Sequence, residues 1–243
     1  MKIHYFENLD ELSLEAANFI FDLIQSELEK RDWFSFFLSG GKTPEKLYKI
    51  LSQNPEINWN KIHIFWGDER YVSMDNENSN FRMANNSILS VIDIAEGNIH
   101  PINTDIFPPE KSAEEYEREL KTFLLNYTKI TEKELRPTFD LILLGVGRDG
   151  HTASLFTDED YMEKDERWVK AVPVPDVAPK VARITITLRV INKARWVIFM
   201  VAGENKFEII DKVIKEQRGG NSKLPAGKVR PEKGKTFWFI AEK

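Results

Sequence analysis

The chain has 243 residues, of which 42% are hydrophobic, so it can bury a sizeable core and suits one large domain or two small ones. Its 34 Lys and Arg against 39 Asp and Glu give a formal net charge of -5, which argues against a nucleic-acid partner but allows a local basic pocket. Cysteine is absent, which excludes disulfides, thiolate catalysis and zinc–thiolate sites and fits an intracellular protein.

The first residues contain no apolar signal core, and no run can span a bilayer, so we expect a soluble, cytoplasmic protein without membrane contacts. Apolar residues from Leu14 to Leu28 recur at spacings of three and four, which predicts a long amphipathic helix ending near Arg31. Runs rich in β-branched and aromatic residues then predict strands at 33–38, 61–66, 139–144, 183–188, 196–202 and 236–240. Helical patterns lie between most of them, at 44–52, 80–92, 110–127 and 204–215.

This alternation predicts an α/β fold, with a mostly parallel sheet and helices on both of its faces. The proline-rich connections at 107–109 and 172–179 are too short to be convincing interdomain linkers, so residues 1–243 are expected to form a single domain. In such sheets, side chains that follow the carboxyl ends of the strands meet in one crevice. Four segments place polar residues at such positions.

The first segment reads Ser39-Gly40-Gly41-Lys42-Thr43 and is followed by a proline, between a predicted strand and a predicted helix. Its glycines expose backbone N–H groups, its hydroxyls can donate to oxyanions, and a helix N-terminus adds partial positive charge, so the loop suits a phosphate. The alternative is an ordinary strand-to-helix turn. The spacing is not that of a P-loop.

The second segment, residues 65–72, runs from an apolar strand into Asp68, Glu69 and Arg70. Charged side chains at the end of a strand can project into a cleft, where an arginine binds phosphate through two parallel hydrogen bonds. The alternative is a solvated, salt-bridged turn.

The third segment, residues 144–156, brings Asp149 and His151 to the end of a predicted strand in a glycine-rich turn. Imidazoles titrate near neutrality, so an exposed histidine here is a candidate general base, the alternative being a helix-start residue bonded to the backbone. Its Gly-x-Gly-x-x-Gly spacing also raises a dinucleotide site, which needs an acid about 20 residues on, after a second strand. Asp165 has that spacing but precedes the strand-like residues 168–172.

The fourth candidate site combines two segments, each of which supplies a cation. Arg183 stands at the start of a strand, and Lys206 stands in the first turn of a predicted helix. A lysine near a helix N-terminus opposes the helix dipole, which suggests an anionic ligand, although a solvated surface lysine is the simpler alternative. The four histidines are scattered without metal-ligand spacing, so no metal site is expected.

Taken together, these segments resemble the 6-phosphogluconolactonase family. The matching residues occur in family order and span almost the whole chain, at 39–44, 68–70, 79–80, 145–156, 183–187, 203–206 and 224–226. The resemblance implies a modified doubly wound, Rossmann-like α/β fold. It also implies an enzyme that hydrolyses 6-phospho-D-glucono-1,5-lactone to 6-phosphogluconate, the second step of the oxidative pentose phosphate pathway.

By the same resemblance, His151 is the general base that takes a proton from the attacking water, and Asp149 and Asp68 orient His151 or the sugar hydroxyls. The remaining matched residues would hold the phosphate and the sugar, namely Gly40, Gly41, Lys42, Thr43, Arg70, Arg183 and Lys206. No metal or organic cofactor is expected. The expected partner is a small-molecule sugar-phosphate lactone, and the protein is expected to be a monomer or a homodimer.

Two alternative functions are compatible with the same residues. Glucosamine-6-phosphate deaminases share the Asp-Gly-His turn but carry a glutamate a few residues after the histidine, where this chain has Phe156. A non-catalytic sugar-phosphate sensor would keep the binding loops without Asp149 and His151. The chain also departs from the family after Phe156, where Thr157-Asp158 replaces the usual Pro-Gly.

Overall fold

The computed structural model describes residues 1–156 and 166–242, and within them the chain forms ten strands and six α-helices. The strands are β1 (Lys2–Phe6), β2 (Phe34–Leu38), β3 (Ile62–Trp66), β4 (Asp68–Arg70), β5 (Ile99–His100), β6 (Leu141–Leu144), β7 (Val169–Val172), β8 (Arg183–Ile186), β9 (Trp196–Ala202) and β10 (Lys235–Ala241). The helices are α1 (Leu9–Leu28), α2 (Lys42–Ser52), α3 (Asn80–Ala84), α4 (Pro109–Tyr127), α5 (Leu188–Ile191) and α6 (Phe207–Gly219). Within the described residues, no helix is both long enough and apolar enough to traverse a lipid bilayer.

Seven of these strands form a central sheet in the order β1-β10-β9-β6-β2-β3-β5, and every neighbouring pair is parallel. Helices cover both sides of the sheet, which confirms the predicted α/β architecture. From β2 the chain proceeds outward through β3 to β5, and β6 then returns to the opposite side of β2. The boundary between β2 and β6 is therefore the topological switch point, where the connections diverge and a crevice opens.

The central strands are continuous apolar runs because helices cover both of their faces. Every residue of β2, β3 and β6 is buried. The predicted first helix is confirmed as α1, which begins at Leu9 because the Asn8 side chain accepts a hydrogen bond from the backbone N–H of Glu11.

A second, three-stranded sheet in the order β4-β8-β7 is antiparallel and was not expected from the sequence. The strand predicted at 183–188 is confirmed as far as Ile186, but it belongs to this smaller sheet, and Leu188 begins α5. The N–H of Ile186 donates to the carbonyl oxygen of Gly67 at 2.9 Å. Gly67 directly follows the last residue of β3, so β8 is bonded to the chain where it leaves the central sheet. The small sheet therefore lies beside the carboxyl end of the central sheet.

Candidate active site

A pocket of about 250 Å³ opens at the switch point between β2 and β6. Its walls come from the ends of β2 and β6, from β4 and β8 of the small sheet, and from the turn before α6. Nine of the ten predicted site residues line it, namely Gly40, Gly41, Lys42, Thr43, Asp68, Arg70, His151, Arg183 and Lys206. The tenth, Asp149, is hydrogen-bonded to His151. Residues that lie far apart in the sequence thus share one pocket.

The glycine loop lies between β2 and α2, and the helix begins at Lys42, two residues before the predicted start at Pro44. Gly41 has φ of +96°, a left-handed conformation that residues with a side chain rarely adopt. A Cβ on Gly40 would lie 1.9 Å from Oδ1 of Asn80, so only glycine fits against that amide. The loop therefore enters the N-terminus of an eleven-residue helix, where backbone N–H groups and the helix dipole favour an anion.

His151 and Asp149 form a hydrogen-bonded pair at the pocket wall, with 2.5 Å between Nδ1 of the imidazole and Oδ1 of the carboxylate. Burial alone would raise the pKa of the Asp149 carboxyl, but the hydrogen bond and the charge of His151 outweigh it and hold that pKa below its usual value. An ionised Asp149 makes Nδ1 the donor, so Nε2 of the neutral ring is the acceptor. The ring of Phe156 packs on the imidazole, with 4.8 Å between the ring centroids.

Asp68 also lines the pocket and is held by two residues that the sequence did not single out for this purpose. Ser154 donates its hydroxyl to Oδ2 of Asp68 at 2.6 Å, and the Asn80 amide donates to the Asp68 carbonyl oxygen at 2.8 Å. The backbone N–H of Ser154 also donates to Oγ1 of Thr185 on β8, at 3.1 Å. The turn that carries His151 is therefore joined to two strands of the small sheet, β4 and β8.

Arg70 and Arg183 stand directly opposite each other on β4 and β8. Like charges at such positions repel, and burial, followed by the charge of Arg70, lowers the pKa of the Arg183 guanidinium. Arg183 is only 3% exposed, and although its Nη2 donates to the Pro179 carbonyl oxygen at 2.7 Å, its Nε and Nη1 have no hydrogen-bond partner among the described residues. A buried guanidinium in this state favours an anion, which would supply both the charge and the missing acceptors.

Lys206 adds another cation to the pocket. It ends a short turn, Glu204–Lys206, and immediately precedes α6, so its predicted position in the first turn of that helix is wrong by one residue. Burial lowers its pKa, and the positive charge of Arg148 lowers it further. Arg148 belongs to the same glycine-rich turn as His151 and was not identified from the sequence, where it reads as an exposed loop residue.

Glu69, between Asp68 and Arg70, does not line the pocket but fixes the segment that does. Its carboxylate accepts from the backbone N–H groups of Arg70, Asn80 and Phe81, each at 2.7 Å. Burial raises the pKa of Glu69 to about 7, although these three donors act in the opposite direction. The alternative of a solvated, salt-bridged turn is therefore wrong at Glu69, which is buried and held by hydrogen bonds from the backbone.

The alternative dinucleotide site finds no support in this region, because the described residues after Gly150 form a turn in which Thr152 bridges to Leu155, where a dinucleotide fold needs a helix. Asp165, the acid considered for it, lies outside the described residues, as does the departure at Thr157-Asp158.

The sequence and the fold of the chain match a known class of sugar-phosphate enzymes. A sequence profile described as glucosamine-6-phosphate isomerases/6-phosphogluconolactonase matches residues 7–238, so the chain belongs to this family. A 6-phosphogluconolactonase of Synechocystis is 41% identical over 217 residues, which cover 89% of this chain and 85% of that protein. The crystal structure of 6-phosphogluconolactonase from Thermotoga maritima superposes with a TM-score of 0.85 at 32% identity, covering 99% of both chains. A 6-phosphogluconolactonase from Trypanosoma cruzi gives 0.84 at 30% identity, covering 99% of this chain and 94% of the other.

Proposed function

We propose that this protein hydrolyses 6-phospho-D-glucono-1,5-lactone to 6-phospho-D-gluconate, the second step of the oxidative pentose phosphate pathway. The observation that carries the proposal is one pocket that brings together an imidazole–carboxylate pair and a buried arginine, two of whose donors find no acceptor in the described part of the chain. The names of the relatives support the same activity. In this proposal the enzyme is cytoplasmic, its partner is a small-molecule sugar-phosphate lactone and neither a nucleic acid nor a membrane, and it works as a monomer or a homodimer.

In the proposed reaction, Nε2 of His151 takes a proton from a water molecule as the water oxygen forms a bond to the lactone carbonyl carbon. Asp149 holds the ring through Nδ1 and stabilises the imidazolium that forms. The tetrahedral intermediate then collapses, the bond from carbon to the ring oxygen breaks, and the imidazolium returns a proton to that oxygen. The net change is the addition of one water molecule, with no redox step.

The phosphate is held away from the reacting carbon, by the Gly40–Gly41 loop and by the cations of the pocket, of which Arg183 is the most deeply buried. Such remote contacts hold the lactone carbonyl in reach of the water, and their binding energy lowers the barrier when the fit is best in the transition state. Asp68, kept in place by Ser154 and Asn80, bonds the sugar hydroxyls or orients His151.

Phe156 favours the hydrolase over the deaminase. Where the deaminases are expected to carry a glutamate that assists the imidazole, this chain packs an apolar ring on it, and an apolar ring cannot relay a proton. The sensor alternative would leave the short bond between His151 and Asp149 without a use, since binding of a phosphate does not need an oriented base.

The test is a direct assay with freshly prepared 6-phosphogluconolactone, whose decay is followed with and without the purified protein. We expect accelerated decay and no ammonia release from glucosamine 6-phosphate. The His151→Ala variant is expected to lose turnover while still binding 6-phosphogluconate in a calorimetric titration. Ammonia release without lactone hydrolysis would establish the deaminase, and phosphate-ligand binding without either activity would establish the sensor.

A further inference from the structure

The ladder between β2 and β6 ends before the pocket, and the hydroxyl of a buried tyrosine bonds the backbone of the residue that follows β2. Their ladder contains Phe36 paired with Leu141 and Phe37 paired with Ile142. Ser39, one residue beyond the end of β2, instead donates its N–H to the hydroxyl oxygen of Tyr48 at 2.8 Å, and that hydroxyl donates to the Ser39 carbonyl oxygen, also at 2.8 Å.

Tyr48 lies on α2, the helix that follows the glycine loop, so the hydroxyl closes that loop upon its own starting residue. Its side chain is fully buried. Burial raises the pKa of the Tyr48 phenol, which keeps the hydroxyl protonated and lets it donate and accept at the same time. Both polar groups of the Ser39 backbone are thereby satisfied without a neighbouring strand.

We propose that Tyr48 is a positioning residue for the anion-binding loop. Its hydroxyl fixes Ser39 at the point where the chain leaves the sheet, and so determines where the N–H groups of Gly40 and Gly41 point. This inference rests on the proposed function, since it assigns the phosphate of the substrate to that loop. It predicts that loss of a single buried oxygen atom, outside the pocket wall, weakens phosphate binding more than it slows the chemical step.

The chain supplies a matched control in Tyr116 of α4. Its hydroxyl accepts from the N–H of Trp66 at 2.9 Å and contacts the Trp66 carbonyl oxygen at 3.1 Å, and its side chain is equally well buried. Trp66 is also the last residue of its strand. The chain that follows it has other anchors, because Gly67 donates to Leu38 and β4 pairs with β8.

The experiment compares the Tyr48→Phe and Tyr116→Phe variants in calorimetric titrations with inorganic phosphate and with 6-phosphogluconate. Both variants remove the hydroxyl that bonds one backbone N–H and one C=O group, so both should lose several degrees of Tm. We expect the Kd for both ligands to rise about tenfold in Tyr48→Phe, with KM rising in parallel and kcat within about threefold of wild type. In Tyr116→Phe we expect Kd within about twofold of wild type.

Equal Kd values in the two variants, or a kcat loss without a rise in Kd, would overturn the positioning role. Should Tyr48→Phe fail to fold, hydrogen exchange of the wild-type protein decides the matter. The Ser39 amide should then exchange as slowly as the amides of β2, whereas exchange at the rate of exposed loops would overturn the proposal. An absence of lactone turnover in the wild-type protein refutes the proposed function instead, because phosphate titrations do not depend on turnover.

Discussion

The Gly147→Ala substitution tests whether the position of the imidazole controls the reaction. A Cβ added at Gly147 would lie 2.1 Å from both Cε1 and Nδ1 of His151, and 2.6 Å from Oδ1 of Asp149. Since carbon atoms in contact stay about 3.5–4.0 Å apart, the ring must retreat by about 1.5 Å. The backbone bonds of the turn, from Gly147 to His151 and from Gly150 to Gly147, do not involve the new atom.

A side chain that swings aside costs little stability, but a displacement of about 1 Å in a reacting group can cost about 100-fold in rate. We therefore expect Gly147→Ala to retain a Tm near that of wild type and to lose at least about 100-fold in kcat for lactone hydrolysis. Gly145→Ala is the matched control in the same turn, because its added Cβ would meet only Oγ of Ser39, at 4.0 Å. A wild-type kcat in Gly147→Ala, or equal losses in both variants, would refute the reasoning.

Two further predictions concern a binding residue and the pH dependence of stability. Arg183→Gln removes a buried cation, two of whose donors have no acceptor among the described residues. The KM for the lactone should therefore rise about 30-fold, the equivalent of about 2 kcal/mol. An unchanged KM would show that Arg183 does not bind the substrate. The pKa of His63 is lowered from 6.5 to about 4, chiefly by burial and then by the charge of His100. Nε2 of His100 lies 3.0 Å from Nδ1 of His63. Because the unfolded chain binds this proton more readily than the folded protein, the stability contributed by neutral His63 is present above pH 6.5 and is lost as the pH falls toward 4. The loss in the free energy of unfolding is at most about 3 kcal/mol. Denaturant titrations between about pH 4 and 7 should show that the free energy of unfolding depends less on pH in His63→Gln than in wild type. An equal pH dependence in the two proteins would contradict the role of His63.

Much of the central sheet could be predicted because each of these strands is a local run of apolar residues. The apolar runs at 33–38, 61–66 and 196–202 are buried on both faces, and each forms a parallel strand close to its predicted bounds. β1 has no such pattern, since as an edge strand it buries none of its residues fully and becomes a strand by pairing with β10, at the other end of the chain. β4 is a strand of three charged residues that depends on β8 as its partner.

The same distinction holds in the candidate site. Asp149 and His151 are two residues apart in one turn, so the sequence predicted that they lie close together, although it left open whether Asp149 orients the imidazole or the sugar hydroxyls. Ser154 and Asp68 are hydrogen-bonded although they lie 86 residues apart in the sequence. Tyr48 bonds Ser39 only because α2 places its side chain back over the loop, and that placement depends on where the helix begins. Such contacts depend on how the elements pack, and single-residue chemistry carries no signal of them.

Arg70 and Arg183 lie on strands of the small sheet, whereas His151 lies in the turn that follows β6 of the central sheet. Ser154 bonds Asp68 and Thr185 and so joins this turn to the small sheet, which holds the imidazole at a fixed place relative to Arg183. Under the proposed function, the substrate would have to match this fixed spacing between the buried guanidinium and the imidazole. Selection for the distance between the phosphate and the carbonyl of a lactone would then follow from the hydrogen bonds of Ser154.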